Sequence, residues 1–133
     1  MTTNASHRDG AAAAGRRILL VDDNADAANS LAELLSQLGY QVRAVHDAVA
    51  ALEVAPLFNP DFCLLDIGLP IMDGYELATR LRMSKLIDEK TRIIAVTGYG
   101  QDADRQRARA SGFDAHIVKP VDMDALMRAL GAS

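Results

Sequence analysis

Phe62-Cys63-Leu64-Leu65-Asp66-Ile67-Gly68-Leu69 is an apolar run carrying one carboxylate, and how it is read decides the fold. Turn signals bound it, with Asn59-Pro60-Asp61 before and Gly68 and Pro70 after. A short apolar run so bounded suits a strand buried on both faces of a parallel sheet. Asp66 then stands at the C-terminal end of that strand. In open α/β sheets this is the edge where ligands bind, so an acid there is a site candidate, whereas the plainer reading is a polar strand end or a helix N-cap.

The flanking chain repeats the pattern. Upstream, Arg17-Ile18-Leu19-Leu20-Val21 predicts a buried strand that ends in Asp22-Asp23-Asn24, a second acidic strand end. Ala28, Leu31, Leu35 and Leu38 recur at helical spacing after candidate caps at Asn24 and Asp26, and Gly39 stops the helix. Tyr40 to Val45 reads as a second strand. Asp47 caps a helix from about Ala48 to Ala55, and Pro56 to Pro60 is expected to turn the chain into the central strand.

Downstream, Met72-Asp73-Gly74 reads as a turn. Tyr75, Leu77, Ala78, Leu81 and Arg82 begin a helix that frays near Ser84 to Glu89. Ile93 to Thr97 is a fourth strand, ending on a hydroxyl before the two-glycine loop Gly98-Tyr99-Gly100. Gln101 to Ser111 carries a thin apolar stripe and predicts a weakly packed helix closed by Gly112. Ala115 to Val118 is a fifth strand, ended by Lys119-Pro120, and Leu126, Met127 and Leu130 mark the last helix.

Five strands alternating with five helices through short connections predict an α/β domain. Its sheet is parallel and five-stranded, covered on both faces in a three-layer, doubly wound (βα)5 arrangement with right-handed crossovers. A chain of 133 residues, half of them hydrophobic, fits one such domain with a single core. Met1 to Gly15 is polar and Ala-rich with no face to bury, and reads as a disordered lead-in, residues 1–15, to a folded domain over residues 16–131.

Composition removes several function classes. A formal net charge of -4 offers no electrostatic footprint for nucleic acid or an anionic membrane. No apolar stretch reaches membrane-spanning length, and the Ala11 to Ala14 run is too short for a signal-peptide core, so a cytoplasmic protein is the simplest expectation. Cys63 is the one cysteine and lies in the proposed buried strand, where a thiol behaves as a small hydrophobe.

The predicted topology gathers Asp22-Asp23, Asp66, Thr97 and Lys119 at one sheet edge, although they are far apart in sequence. Each alone has an ordinary structural reading; their convergence is the signal. Carboxylates brought together repel one another and raise at least one pKa unless a cation neutralises them. Oxygen donors suit Mg²⁺, with one or two carboxylates, waters and a phosphate oxygen. They do not suit zinc, since His7, His46 and His116 are scattered and the single thiol is in the strand. Phosphoryl transfer needs positioning and charge neutralisation, which Mg²⁺ and Lys119 would supply, with Asp66 as nucleophile.

Val21-Asp22-Asp23-Asn24, Leu65-Asp66-Ile67-Gly68-Leu69-Pro70-Ile71-Met72-Asp73-Gly74, Val96-Thr97-Gly98 and Val118-Lys119-Pro120 resemble the motifs of the receiver (CheY-like) domain of two-component response regulators. The resemblance covers about residues 16 to 130, with the motifs in order. It implies a flavodoxin-like fold, with Asp66 as phospho-acceptor and Asp23, helped by Asp22, as metal-binding acid. It further implies that Gly68 offers its backbone carbonyl to Mg²⁺, that Thr97 and Lys119 contact the phosphoryl group, and that the Lys119-Pro120 bond is cis. With no second domain after Leu130, a single-domain form without a separate catalytic domain is expected, and the resemblance implies a phosphoprotein, monomer or weak dimer. It would take its phosphoryl group from a sensor histidine kinase or a histidine phosphotransfer protein. Output would pass to a protein target through the face of the fourth helix, fifth strand and fifth helix. A phosphate shuttle and a fragment of a hybrid histidine kinase are the alternatives within the family.

Two positions depart from the family's pattern. His116 stands where a Tyr or Phe usually acts with Thr97 as the switch. Gly68 stands two after the acceptor, so no side chain there can touch an attacking water; of the two lifetime-control positions, Gly68 and Tyr99, Gly68 leaves its side open and control falls to Tyr99, whose ring can cover the phosphoryl group. A small phosphatase with an Asp nucleophile is the alternative of a different class, but it expects a second Asp where Gly68 stands. A flavin-binding protein would want a phosphate loop where Asp22-Asp23 would repel the phosphate.

Overall fold

A computed structural model of the chain describes residues 15–69, 71–98 and 112–131. Five strands, β1 (Arg17–Val21), β2 (Gln41–Val45), β3 (Phe62–Asp66), β4 (Arg92–Thr97) and β5 (Ala115–Val118), form one all-parallel sheet in the order β2-β1-β3-β4-β5. Four described helices connect and follow them: α1 (Ala25–Gln37), α2 (Ala48–Phe58), α3 (Gly74–Met83) and α4 (Met123–Ala129). The predicted α/β architecture is present. The helix expected over Gln101 to Ser111 and the loop residues Tyr99 and Gly100 lie outside the described residues.

The unbroken apolar runs of the inner strands follow from burial on both sides. Successive side chains point to opposite faces, so Leu19, Val21, Cys63, Leu65, Ile93 and Ala95 pack under α2 and α3, against Ala51, Ala55, Leu77, Ala78 and Leu81. Ile18, Leu20, Phe62, Leu64, Ile94 and Ile117 pack under α1 and α4, against Ala28, Leu35, Leu126 and Leu130. Each fully buried Leu or Ile contributes roughly 1.5–3 kcal/mol over leaving it in water. The edge strand β2 alternates Gln41 and Arg43 outward with half-buried Val42 and Ala44. Cys63 is fully buried, and burial pushes its thiol up to about 12, which leaves it unreactive as a nucleophile.

Each described helix opens on a side-chain cap. Asn24, Asp47, Asp73 and Asp122 accept from the backbone N–H three residues on, at Ala27, Ala50, Glu76 and Ala125. At the other end of α1, Gly39 takes φ of 105°, the left-handed turn expected of it. Contrary to the expectation of a stop at Pro56, α2 runs on to Phe58 with Pro56 inside it. The ring sits in the last turn, where only a short stretch of helix follows. Buried Ala55 and half-buried Phe58 keep that turn on the core, and Asn59, at φ 55°, caps it with an N–H bond to Ala55 O. Packing here outweighs the local penalty of proline.

Candidate phosphoryl-acceptor site

Alternation along β3 continues Phe62 and Leu64 to Asp66, so its carboxylate emerges at the C-terminal edge on the α1 side, 7% exposed. Both of its oxygens are engaged. Oδ1 accepts from the Gly68 N–H at 2.9 Å, and Oδ2 lies 3.3 Å from Lys119 Nζ. Ile67, the next residue, is held on both sides: its N–H donates to Val96 O on β4, and its carbonyl accepts from the Gly74 N–H, which closes the chain back on itself, each bond 3.1 Å. Gly74 is required at that closure. A Cβ there would stand 2.7 Å from Asp66 O and 2.8 Å from Ile67 Cα, inside any real contact distance.

The second acidic strand end meets the first because β1 and β3 are neighbours in the sheet. Carboxylate oxygens of Asp22, Asp23 and Asp66 come within 4.8 Å of one another. Asp22 Oδ1 accepts from Asn24 N at 3.0 Å, which turns the chain into α1. Burial pushes the Asp22 carboxyl above its ordinary range; the Asn24 N–H pulls it down, the charge of Asp66 pushes it up further and Lys119 opposes. Mutual repulsion, the cause that the sequence suggested, contributes at Asp22 but is smaller than desolvation. Three hard carboxylate oxygens so close, with burial at Asp22 disfavouring its ionised form, fit a divalent cation with oxygen preference.

Thr97 closes β4 and is 3% exposed; its carbonyl accepts from Lys119 N at 2.7 Å, extending the β4–β5 ladder to the lysine. Thr97 pairs with Val118 and Ala95 with His116, so Thr97 and His116 share the sheet face covered by α2 and α3, on adjacent strands two residues out of register. His116 is half-buried there. The Lys119-Pro120 bond is cis, as the family resemblance implied. Tyr99, expected to border the site, lies outside the described residues.

Two residues at this edge escaped the sequence reading. Gly74 could be noted only as a turn residue, since nothing local reveals that α3 starts against the backbone of Asp66. His46 was one of three scattered histidines, yet its Nδ1 lies 3.2 Å from the Asp22 carbonyl oxygen. Its position one residue past the end of β2 was the available signal, because parallel strands deliver their C-terminal neighbours to the same edge. From the acids a cleft of about 730 Å³ runs along α1, past Ala27 and Leu31, to Val121 and Met123.

Comparison with known proteins agrees with this geometry. The family model for the response regulator receiver domain matches residues 18–131. Sporulation initiation phosphotransferase F of Bacillus subtilis is 35% identical over 86% of this chain and 90% of its own length. The sensor histidine kinase RcsC of Salmonella typhi is 38% identical over 85% of this chain, which spans only 12% of that protein. Among solved structures, the receiver domain of the Pseudomonas aeruginosa sensor histidine kinase PA1611, with a magnesium ion coordinated in its active-site cleft, is 32% identical. It matches with a TM-score of 0.76, covering 88% of this chain and 95% of that one. Fold, motif order and family match lead to one conclusion: the chain belongs to the response regulator receiver domain family.

Proposed function

We propose that Asp66 accepts a phosphoryl group and that the chain signals through the phosphorylated state. The observation that carries this is the pairing of a nearly buried carboxylate with an ammonium at 3.3 Å beside two further acids. An oxygen of Asp66 forms the bond to phosphorus as the bond from phosphorus to the donor breaks. The donor is an imidazole nitrogen of a histidine kinase or phosphotransfer protein, or the acyl oxygen of acetyl phosphate, and the electron pair leaves with it. Lys119 offsets charge on the phosphoryl oxygens, while the Gly68 N–H keeps the carboxylate aimed. Asp22, Asp23, Asp66 and the Gly68 carbonyl would hold Mg²⁺. When bound, that ion neutralises charge on the acids and the phosphoryl group.

Thr97 and His116 are the proposed switch, supported by their shared sheet face. The added charge and acceptor oxygens draw the Thr97 hydroxyl toward the phosphoryl group, which frees space beside His116 and alters the face over β5 for a protein target. Similarity to a phosphotransferase over nearly its whole length favours a shuttle as the second reading. Intact-mass measurement after incubation with acetyl phosphate tests the core proposal: one phosphoryl adduct with Mg²⁺, none with EDTA and none in Asp66→Asn. An adduct that survives in Asp66→Asn refutes the assignment.

A further inference from the structure

We infer that His46 is a positioning residue for the acidic turn, holding Asp22 from the β2 side so that its carboxylate is set for the cation. This rests on the reading of Asp22, Asp23 and Asp66 as the cation site. The β1–β2 register ends at Val21↔Val45, and one further ladder bond follows, from Asp22 N to Val45 O at 3.1 Å. In a parallel pair the next bond to the Asp22 carbonyl would come from the backbone of residue 47. There the chain turns away, because Asp47 is the N-cap of α2, its carboxylate accepting from Ala50 N at 2.7 Å. The His46 ring stands at that point instead, with Nδ1 at 3.2 Å from Asp22 O.

A carbonyl oxygen only accepts, so the contact is a hydrogen bond donated by Nδ1–H, which fixes the tautomer of the neutral ring. Asp22 is then held at three atoms: its N by Val45, its O by His46, and its Oδ1 by Asn24 N. These three bonds leave the turn between β1 and α1 little freedom to swing the acid away from Asp66. The ring itself is outside the group of ligand atoms that approach within 4.8 Å, so it acts through Asp22 and not as a ligand. Groups that orient a metal ligand commonly change metal affinity when removed, even though they never touch the ion.

The test is Mn²⁺ binding to the unphosphorylated full chain, followed by electron paramagnetic resonance of the free ion, for wild type, His46→Ala, His46→Leu and His46→Asn. The Asn amide nitrogen stands the same number of bonds from Cβ as Nδ1 and can donate to the same carbonyl; Leu fills the space without a donor. We expect Ala and Leu to weaken Mn²⁺ binding by roughly tenfold or more, at the low end of the usual range because the ring is exposed, and Asn to recover most of the loss. Melting temperatures in EDTA should stay close together for all four proteins, since His46 is exposed. Leu binding as tightly as wild type, or Asn binding no better than Leu, overturns the role of His46. Wild type that binds no Mn²⁺ overturns the cation site and this inference with it.

Discussion

Lys119 Nζ lies 3.3 Å from Asp66 Oδ2 across 53 positions of sequence, and the lysine side chain is 40% exposed whereas the aspartate is buried. So exposed a partner adds little to stability but, on the proposed function, stands where charge would develop during transfer. Lys119→Gln should slow adduct formation from acetyl phosphate by about tenfold or more. Its unfolding free energy should change by under about 1 kcal/mol. A rate equal to wild type at saturating Mg²⁺ would remove Lys119 from the reacting set.

Two glycines near the site make a matched pair. In Gly74→Ala the new methyl meets backbone atoms at 2.7 and 2.8 Å, which cannot rotate away. Urea denaturation should report a loss of about 1–3 kcal/mol. Among the described residues a Cβ on Gly98 meets nothing within 4 Å, so Gly98→Ala should stay within about 0.5 kcal/mol of wild type. Equal effects at the two sites would contradict the close approach of α3 to Asp66.

Gly68 is different again, since among the described residues a Cβ there would touch only Asp66 Oδ1, at an ordinary 3.6 Å. Larger side chains fit the fold at this position yet border the carboxylate. Gly68→Gln should keep the phosphoryl adduct and its Mg²⁺ requirement while changing the adduct's half-life about threefold or more, through the approach of water in line with phosphorus. Phosphate release at fixed Mg²⁺ measures this, and an unchanged half-life counts against control from this position.

Asp22 supplies a pH dependence. Its carboxyl is raised above the ordinary 3.8, chiefly by burial, so the folded chain binds that proton more tightly than the unfolded chain does. The ionised group therefore opposes folding at neutral pH, and this penalty fades as pH falls through the raised value toward 3.8. In EDTA, Asp22→Asn should melt at a higher temperature than wild type at pH 7, with the gap narrowing toward pH 4. Mg²⁺ should raise the wild-type melting temperature more than that of the variant. A variant less stable than wild type in EDTA would show that Asp22 is net stabilising without a cation.

Away from the site, the Tyr40 hydroxyl is buried beside Phe62 with no hydrogen-bond partner among the described residues. Burial also raises the phenol above its ordinary 10. Tyr40→Phe should thus be neutral or stabilising by up to about 1 kcal/mol near pH 7. Since the folded form holds this proton more tightly, wild type should lose stability as pH climbs past 10, and the variant should lose less. Destabilisation by more than about 1 kcal/mol would mean that the hydroxyl is satisfied after all.

Much of this was legible before any coordinates. The β3 run announced its burial because both faces are covered, and Asp66 was visible as the carboxylate that ends it. The caps at Asp47 and Asn24 and the stop at Gly39 were readable because their causes are local. The tail of α2 was not, since Pro56 argues locally for a stop and only the packing of Ala55 and Phe58 on the sheet overrides it. The leading cause of the shift at Asp22 was hidden for a similar reason: repulsion can be guessed from residue types, but desolvation depends on what surrounds them. His46 and Gly74 went unread because their partners, Asp22 O and Asp66 O, are backbone atoms brought to them by topology.

The adjacency of β1 and β3, with β2 and two helices threaded between them in the chain, bears on when this protein becomes competent during its own synthesis. Asp22 and Asp23 leave the ribosome first; Asp66 must follow and dock beside them to complete the three-acid cluster, and Lys119 comes 53 residues later still. A truncated or stalled chain therefore carries the acids without the ammonium, and on the function proposed above its Asp66 would react poorly with a phosphoryl donor. On that same proposal, a phosphoryl donor would find a working target only in chains whose translation has passed Lys119.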